Sequence, residues 1–592
     1  MSGNSSRQLI AIARNRILPM LDGDLVALIE IASGLLMPDA YAFPIRKANH
    51  SPKSDMEASR ILRESADWAS MDATVLGILY ESLLDQREAA RSKQTHRRRS
   101  GIFYTPPHIT RFLVGAALDA CRLDTPPIYA PPSILDPACG CGAFLIAAFR
   151  ELRRRYPDVD PATIATHCLH GMDIDPSAVH VARLSLYIEA GLKQDHWSIL
   201  ESSIRVGDSL REGIGQDRLY PVIVGNPPYR NVKRGIPADL AEFCRSHYKT
   251  AKGQWDIAAP FVELALEHLL EPGGACGLIL PNPILLAENY QPAREIILRN
   301  DLIAYGPAGR PFEDPNVEAS LLVVRKGRPG KTAIILEGRN GSIVEKRAEI
   351  AIRLLNRLPF KILSHLADSE FIESALNGLD RGALVRLGDL VTFTRGIECG
   401  KRDPRIVDPN SAPETASRAL LTGETVEAFS TIAKHRFLLS SDDKENKVLK
   451  DPSLWTGDSQ LLVRRVAPRP IAAVASPPAL ALNTLYVVRG ERIDHHAVCA
   501  LINSEIFRDL FVRMFAFDDS LFPYLRTSQL RQVPVPIKAL TDPILSDHSK
   551  RLHTLSAENP EALKGADGLT VRESIDARVR EFYRDAIGRE TG

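Results

Sequence analysis

The chain has 592 residues, 44% of them hydrophobic and 25% charged, and its 74 Lys and Arg against 73 Asp and Glu leave a net charge of +1. That balance excludes an intrinsically disordered polymer, which lacks the apolar residues for a core, and a binder that holds nucleic acid through total charge alone. Nothing approaches the ~20 uninterrupted apolar residues of a membrane helix. Met1 to Met20 mixes apolar residues with Arg7, Arg14 and Arg16 instead of forming a signal peptide, so a cytoplasmic protein is expected. The eight cysteines include no Cys-x-x-Cys pair, and Cys139 and Cys141 have no nearby His or Cys to complete a site. Reduced thiols and no metal are the expectation.

Residues 1–100 read as a helical region. Apolar spacing of three and four predicts one helix over Met56 to Ala69 and a second carrying Val75, Ile78, Leu79, Leu83 and Leu84. A basic run follows, with Arg91, Lys93, Arg97, Arg98 and Arg99 around His96; it suits a solvated linker or a local phosphate contact, and Gly101 marks a boundary. From 101 to 330 short apolar runs alternate with helical periods. Strands are predicted at Ser133 to Leu135, Cys168 to Asp173, Ser203 to Val206, Pro221 to Val224, Ala275 to Leu280, Leu302 to Tyr305 and Ser320 to Val324. Helices are predicted at Gly142 to Arg155, Ser177 to Ala190, Trp255 to Leu270 and Gln291 to Asn300. Buried strands alternating with helices predict a mostly parallel α/β sheet covered on both faces. Residues 331–384 read as a connector with one strand, a polar turn at Asn340-Gly341 and helical segments. Residues 385–592 read as α+β, with strands at Leu390 to Thr394, Leu461 to Val466, Ile471 to Ala475 and Leu485 to Val488, then helices at His496 to Met514 and Val571 to Ala586.

Three motifs sit at strand ends. The first, Asp136-Pro137-Ala138-Cys139-Gly140-Cys141-Gly142, joins a strand to a helix through a glycine turn, where a ligand can approach the backbone and unpaired helix N–H groups. The second, Gly171-Met172-Asp173-Ile174-Asp175-Pro176, puts an acid where such units hold ribose hydroxyls; Asp173 is chosen for that role, and Asp175 before Pro176 is read as a helix cap. These two motifs would equally suit a dinucleotide enzyme. The third, Asn226-Pro227-Pro228-Tyr229, decides between them. Its prolines fix the backbone and remove two donors, so the loop is rigid and its carbonyls accept. The Asn226 side-chain oxygen is a further acceptor and Tyr229 offers an aromatic face. Together they match a planar ring bearing an –NH₂ group.

With these motifs in this order, residues 101 to 326 resemble the N6-adenine DNA methyltransferases of gamma motif order, as found in type II and IIG restriction–modification systems. Phe103-Tyr104-Thr105-Pro106-Pro107 is similar to the family's element ahead of the first strand, Gly207-Asp208 to the one after the third, and Pro311-Phe312-Glu313-Asp314-Pro315-Asn316-Val317 to the segment holding a second aromatic. The resemblance implies a class I S-adenosylmethionine-dependent methyltransferase fold for 101–330, with a mixed, mostly parallel seven-stranded sheet, and a target-recognition domain at 385–592. It implies that Thr105 touches the methionine end of the cofactor, that Asp136, Ala138 and Gly140 line its cleft, and that Asp173 takes its ribose and Asp208 its adenine. Where some relatives have an aromatic after that last acid this chain has Ser209, a lost stacking contact for which Phe261 compensates. Catalytic roles fall to Asn226, Pro227, Tyr229 and Phe312.

The expected chemistry is direct methyl transfer. The Asn226 oxygen and the Pro227 carbonyl hold both hydrogens of the adenine amine and favour a pyramidal nitrogen whose lone pair faces the sulfonium methyl; no cysteine nucleophile is required. The expected partners are double-stranded DNA and a separate cognate restriction endonuclease. The patterns Leu387-Gly388-Asp389-Leu390, Arg395-Gly396-Ile397 and Asn483-Thr484-Leu485-Tyr486 resemble recognition domains, and Arg395, Lys401, Arg402, Arg464, Arg465 and Arg526 are candidate DNA contacts. The alternatives are the methylase part of a bifunctional or multi-subunit restriction enzyme, an N4-cytosine enzyme, an RNA or protein-glutamine methyltransferase, and a non-catalytic DNA-binding subunit. Residues 1–100 hold no Pro-Asp…Glu-x-Lys nuclease pattern.

Overall fold

In the computed structural model, the residues described are 9–21, 24–36, 52–68, 71–89, 104–123, 130–213, 218–232, 235–285, 287–309, 311–312, 317–338, 344–358, 369–399, 403–408, 410, 417–438, 451–515 and 524–588. They divide into two compact units, residues 1–364 and 365–592.

The first unit is built on one sheet of nine strands: β1 (Ile134–Asp136), β2 (Leu169–Asp173), β3 (Ile204–Val206), β4 (Tyr220–Gly225), β5 (Leu270–Pro281), β6 (Asp301–Gly309), β7 (Ala319–Arg325), β8 (Thr332–Gly338) and β9 (Val344–Ala351). Their order is β3-β2-β1-β4-β5-β7-β6-β8-β9. The first five in that order run parallel, β7 is antiparallel to both its neighbours, and β8 lies parallel to β6. The central strands are buried over nearly all their length, as fits a sheet covered on both faces. Strand order reverses around β1 and β4, so a crevice opens beyond their carboxyl ends, the place where α/β sheets hold ligands.

Two details differ from the sequence reading. The sheet has nine strands, not seven, because residues read as a connector pair as the antiparallel hairpin β8–β9 on its far edge; the Asn340-Gly341 turn lies outside the described residues. The helix expected over Trp255 to Leu270 is shorter. Trp255 and Ile257 are held by backbone bonds to Val232 and Arg230 in the loop after β4 (3.0 and 2.9 Å), so helix begins at Ala258, and Leu270 already opens β5.

The helices Leu25–Leu36 and Thr74–Ala89 pack against the helix Pro176–Glu189 that follows β2. One apolar cluster runs from Leu28, Leu62 and Leu76 to Cys141, Val181 and Leu184. The N-terminal helices and the α/β sheet therefore share a core across residue 100. The basic run Arg91 to Arg99 and Gly101 lie outside the described residues.

The second unit contains two four-stranded sheets. One orders Thr392–Arg395, Leu485–Arg489, Gln460–Arg464 and Ala472–Ala475; the other orders Ile406–Val407, His435–Leu438, Ser417–Leu421 and Leu480–Ala481. The apolar cluster of Ile397, Leu420, Trp455, Leu462 and Leu480 draws on both. Helices His495–Asn503, Glu505–Phe515, Pro543–Glu558 and Ala566–Ile587 complete it. No described helix in either unit is long and apolar enough to cross a membrane.

Candidate cofactor and base site

The site is assembled at the carboxyl ends of β1, β2, β3 and β4. Asp136 ends β1, is 1% exposed, and accepts the Ala138 N–H at 3.1 Å, which shapes the turn. The turn then needs left-handed backbone at Gly140 (φ 49°) and Gly142 (φ 86°), conformations that glycine adopts without steric cost. The helix Ala143–Arg155 starts directly after it. Asp173, ending β2, locks the same turn from the side. Its Oδ2 accepts the Gly140 N–H at 2.9 Å and its Oδ1 accepts the Asp175 N–H at 2.9 Å. Asp175 caps the next helix by accepting from Ser177 N and also receives the Tyr80 hydroxyl at 3.2 Å.

Burial pushes the Asp136 carboxyl up to about 8; the Ala138 N–H works against this and the nearby Asp173 adds to it. Burial raises Asp173 too, against its hydrogen bonds from Asp175 and Gly140. Beyond β3, Asp208 caps a short helix through Leu210 N at 3.1 Å and meets Arg211 Nε at 3.2 Å. Ser209 is buried and donates to the Pro137 carbonyl at 2.6 Å, tying the turn after β3 to the turn after β1.

At the tip of β4, a Cβ on Gly225 would lie 2.7 Å from Asp136 Oδ1, so only glycine lets this strand approach the carboxyl so closely. Asn226 follows, and its Nδ2 donates to the hydroxyl of Thr105 at 3.1 Å. Thr105 is 3% exposed and stands just ahead of the helix Pro107–Ala120. Tyr229 and Phe312 face each other edge to face, centroids 6.0 Å apart at 71°, and both pack on the core beneath the sheet. The structure thus brings together Thr105, Asp136, Ala138, Gly140, Asp173, Asn226, Tyr229 and Phe312. Pro227 is buried within the same loop, Asp208 stands at the next strand end, and Phe261 is buried on the helix Ala258–Glu263. Phe103 and Glu313 to Asn316 lie outside the described residues.

Among the buried acids that the sequence reading did not single out is Asp256. Asp256 is 8% exposed, and burial pushes it up to about 7 while the Ala258 and Arg230 backbone bonds oppose the shift. Burial holds the hydroxyls of Tyr229 and Tyr290 well above their usual range, and Asp256 adds to both. Its signal was modest: an Asp two residues ahead of a helix, accepting the Ala258 N–H at 3.0 Å.

The donor set distinguishes between the ligands that the first two motifs allow. A dinucleotide site offers bare N–H groups to a pyrophosphate. Here the glycine turn is flanked by two carboxyls, the buried Asp136 and the half-buried Asp173. Both Asp173 oxygens already accept one bond, and each retains a second lone pair for a hydroxyl or an amine. Such a cleft fits a ligand with hydroxyls, an amine and a cationic centre, as S-adenosylmethionine has.

Comparison with known proteins agrees with this geometry. A model of the N-6 DNA Methylase family matches residues 71–355, and one of the TaqI-like C-terminal specificity domain matches residues 418–535. The chain is 28% identical over 262 residues to the methylase subunit of the type I restriction enzyme MjaIX of Methanocaldococcus jannaschii, covering 43% of this chain and 42% of that relative. It is 24% identical over 304 residues to the type II methyltransferase M.VspI of a Vibrio species, covering 50% and 66%. The chain thus spans less than two thirds of either relative. Among solved structures, the type IIL restriction-modification enzyme MmeI in complex with DNA superposes with a TM-score of 0.60 at 12% identity, over 98% of this chain and 90% of that one, and so shares the fold. Residues 71–355 are thus similar to the N-6 DNA methylase family, and residues 418–535 to the TaqI-like C-terminal specificity domain.

Proposed function

We propose that this chain transfers a methyl group from S-adenosylmethionine to the N6 amine of an adenine turned out of double-stranded DNA, as the modification activity of a restriction–modification or related defence system. The observation that carries the reading is the Asn226-Pro227-Pro228-Tyr229 corner at the tip of β4, with Phe312 edge-on to Tyr229 and Asp136 directly behind Gly225. S-adenosylmethionine, when bound, supplies an electrophilic methyl on a sulfonium. Asp173 would hold its ribose hydroxyls, Asp136, Ala138 and Gly140 would line its cleft, and Asp208 would take its adenine.

The chain's own residues do the rest by positioning. The adenine amine is a weak nucleophile because its lone pair is delocalised into the ring. The Asn226 side-chain oxygen and the Pro227 carbonyl accept its two hydrogens, which favours a pyramidal nitrogen and frees the lone pair. Unstacking the base costs a few kcal/mol, and stacking on Tyr229 and Phe312 returns ~1–3 kcal/mol. The second unit selects the DNA site.

Relatives named as methylase subunits of type I restriction enzymes, and a combined restriction enzyme and methyltransferase, RM.Eco57I of Escherichia coli, favour a second reading in which the chain is the methylase component of a multi-subunit or bifunctional restriction enzyme. The test of the main reading is incubation of the purified chain with double-stranded DNA and methyl-labelled cofactor, then identification of the labelled base. N6-methyladenine is expected. Label on cytosine, on protein or nowhere overturns the proposal. Asn226→Ala should still bind DNA while methyl transfer falls roughly 10²–10³-fold, as when one preorganised hydrogen-bonding group is removed from an active site.

A further inference from the structure

We propose that Glu81, on the N-terminal helix Thr74–Ala89, is a cofactor-binding residue whose carboxylate takes the ammonium at the methionine end of S-adenosylmethionine; this rests on the reading of the cleft as the S-adenosylmethionine site. The apolar spacing of that helix reads as core packing, and Val75, Leu76, Leu79 and Leu83 are buried accordingly. Three of its other residues fall on the site. Gly77, Tyr80 and Glu81 stand three and four positions apart, on one side of the helix.

A Cβ at Gly77 would lie 3.1 Å from Tyr104 Cε2 and 3.2 Å from Cys141 Cβ. The helix therefore lies close against two elements at once: the segment that carries Thr105, and the glycine turn after β1. The Tyr80 hydroxyl donates to Asp175 Oδ2 at 3.2 Å, just beyond the end of β2. One turn beyond Gly77, Glu81 Oε1 stands 3.8 Å from the point that a Cβ on Gly140 would occupy. Glu81 is 9% exposed, an acid placed against the cofactor turn by an element outside the α/β sheet.

The chemistry of the methionine end selects the partner. That end offers a carboxylate, which Glu81 repels, and an ammonium, which it attracts. A carboxylate has roughly four acceptor positions, so the contacts Glu81 makes within the protein do not exclude a further donor. Away from bulk water, a charge-assisted bond of this kind is stronger than a neutral one. Asp136 and Asp173, the acids at the strand ends, are already engaged by backbone N–H groups around the same turn.

The test pairs two ligands with two proteins. Calorimetry measures S-adenosylhomocysteine and its desamino analogue, which lacks only the ammonium, on the wild-type chain and on Glu81→Gln, which keeps the shape and removes the charge. On the wild type the ammonium should improve affinity roughly tenfold to a hundredfold, as a hydrogen bond to a charged group does. On Glu81→Gln that gap should largely close, while the desamino analogue binds as before, because the two changes remove one interaction. If Glu81→Gln does not fold, Glu81→Asp, which withdraws the carboxylate by one methylene, makes the same comparison. A gap that persists in the variant overturns the proposal, even where both affinities fall together, since Glu81 would then only support the turn. So does a wild type that binds both ligands alike. Failure of the underlying reading is separate: there the wild-type chain would bind neither S-adenosylmethionine nor S-adenosylhomocysteine.

Discussion

The two units solve different problems with different materials. In the first, the site is made of backbone: Gly140 N–H bound to Asp173, Ala138 N–H bound to Asp136, and Gly225 pressed against the same carboxyl. In the second, the candidate DNA-contacting groups are side chains on short strands and turns, engaged locally. Arg395 pairs with Glu398 at 3.2 Å, and Arg465 donates to the Asn483 carbonyl at 3.1 Å and lies over the Tyr524 ring at 5.2 Å. A backbone-built site tolerates few residue types at few spacings and so leaves a signature. A surface of arginines can be raised on many scaffolds and leaves little.

The comparison can be broken where its contrast is greatest. Asp173→Ala removes the side-chain acceptors of two backbone N–H groups and the expected ribose contact together. Cofactor affinity measured by calorimetry should fall roughly 100-fold, two charge-assisted hydrogen bonds' worth, while DNA binding persists. Unchanged affinity would mean that the turn after β1 does not depend on its brace. Arg465→Ala should act in the opposite sense. If Arg465 reads a base edge, discrimination between the preferred site and others should drop roughly 10-fold, with cofactor affinity intact; uniform weakening on all DNA would assign it to phosphate. The smallest effect concerns Asp256. Its folded-state value, raised to about 7, lies above its unfolded one, so the native state binds the extra proton. Its contribution to stability is full below the unfolded value and is lost as pH rises through about 7. Asp256→Asn should therefore flatten part of the decline in Tm between pH 4 and pH 7. An undiminished slope would place the decline elsewhere.

Much of the first unit was legible in the sequence because its parallel strands are short, mostly apolar runs, and their ends are where Asp136, Asp173 and Asn226 stand. Of the hairpin β8–β9 only one strand was expected, and not its place in the sheet. Its strands carry Glu337, Glu345, Lys346 and Arg347 among their apolar residues, and so the segment read as connector. Asp256 was hidden because an acid ahead of a helix is ordinarily a cap, and its burial is a tertiary fact. The hydrogen bond between Thr105 and Asn226 spans 121 residues, and no local pattern encodes it. In the second unit the strand at Gln460–Arg464 was visible as an apolar run, whereas two-residue strands such as Ile406–Val407 and Leu480–Ala481 carry too few residues to show a period. Lys401 and Arg402 lie outside the described residues.

The apolar seam between the N-terminal helices and the helix after β2 bears on protein engineering. A chimera that grafted only the segment starting near residue 104 onto a foreign recognition module would strip the cover from Val181 and Leu184 and from the thiol of Cys141. The transplant would clump before it could be assayed. The natural unit of exchange therefore begins with those first helices, and shuffling experiments that respect the seam should yield soluble enzymes.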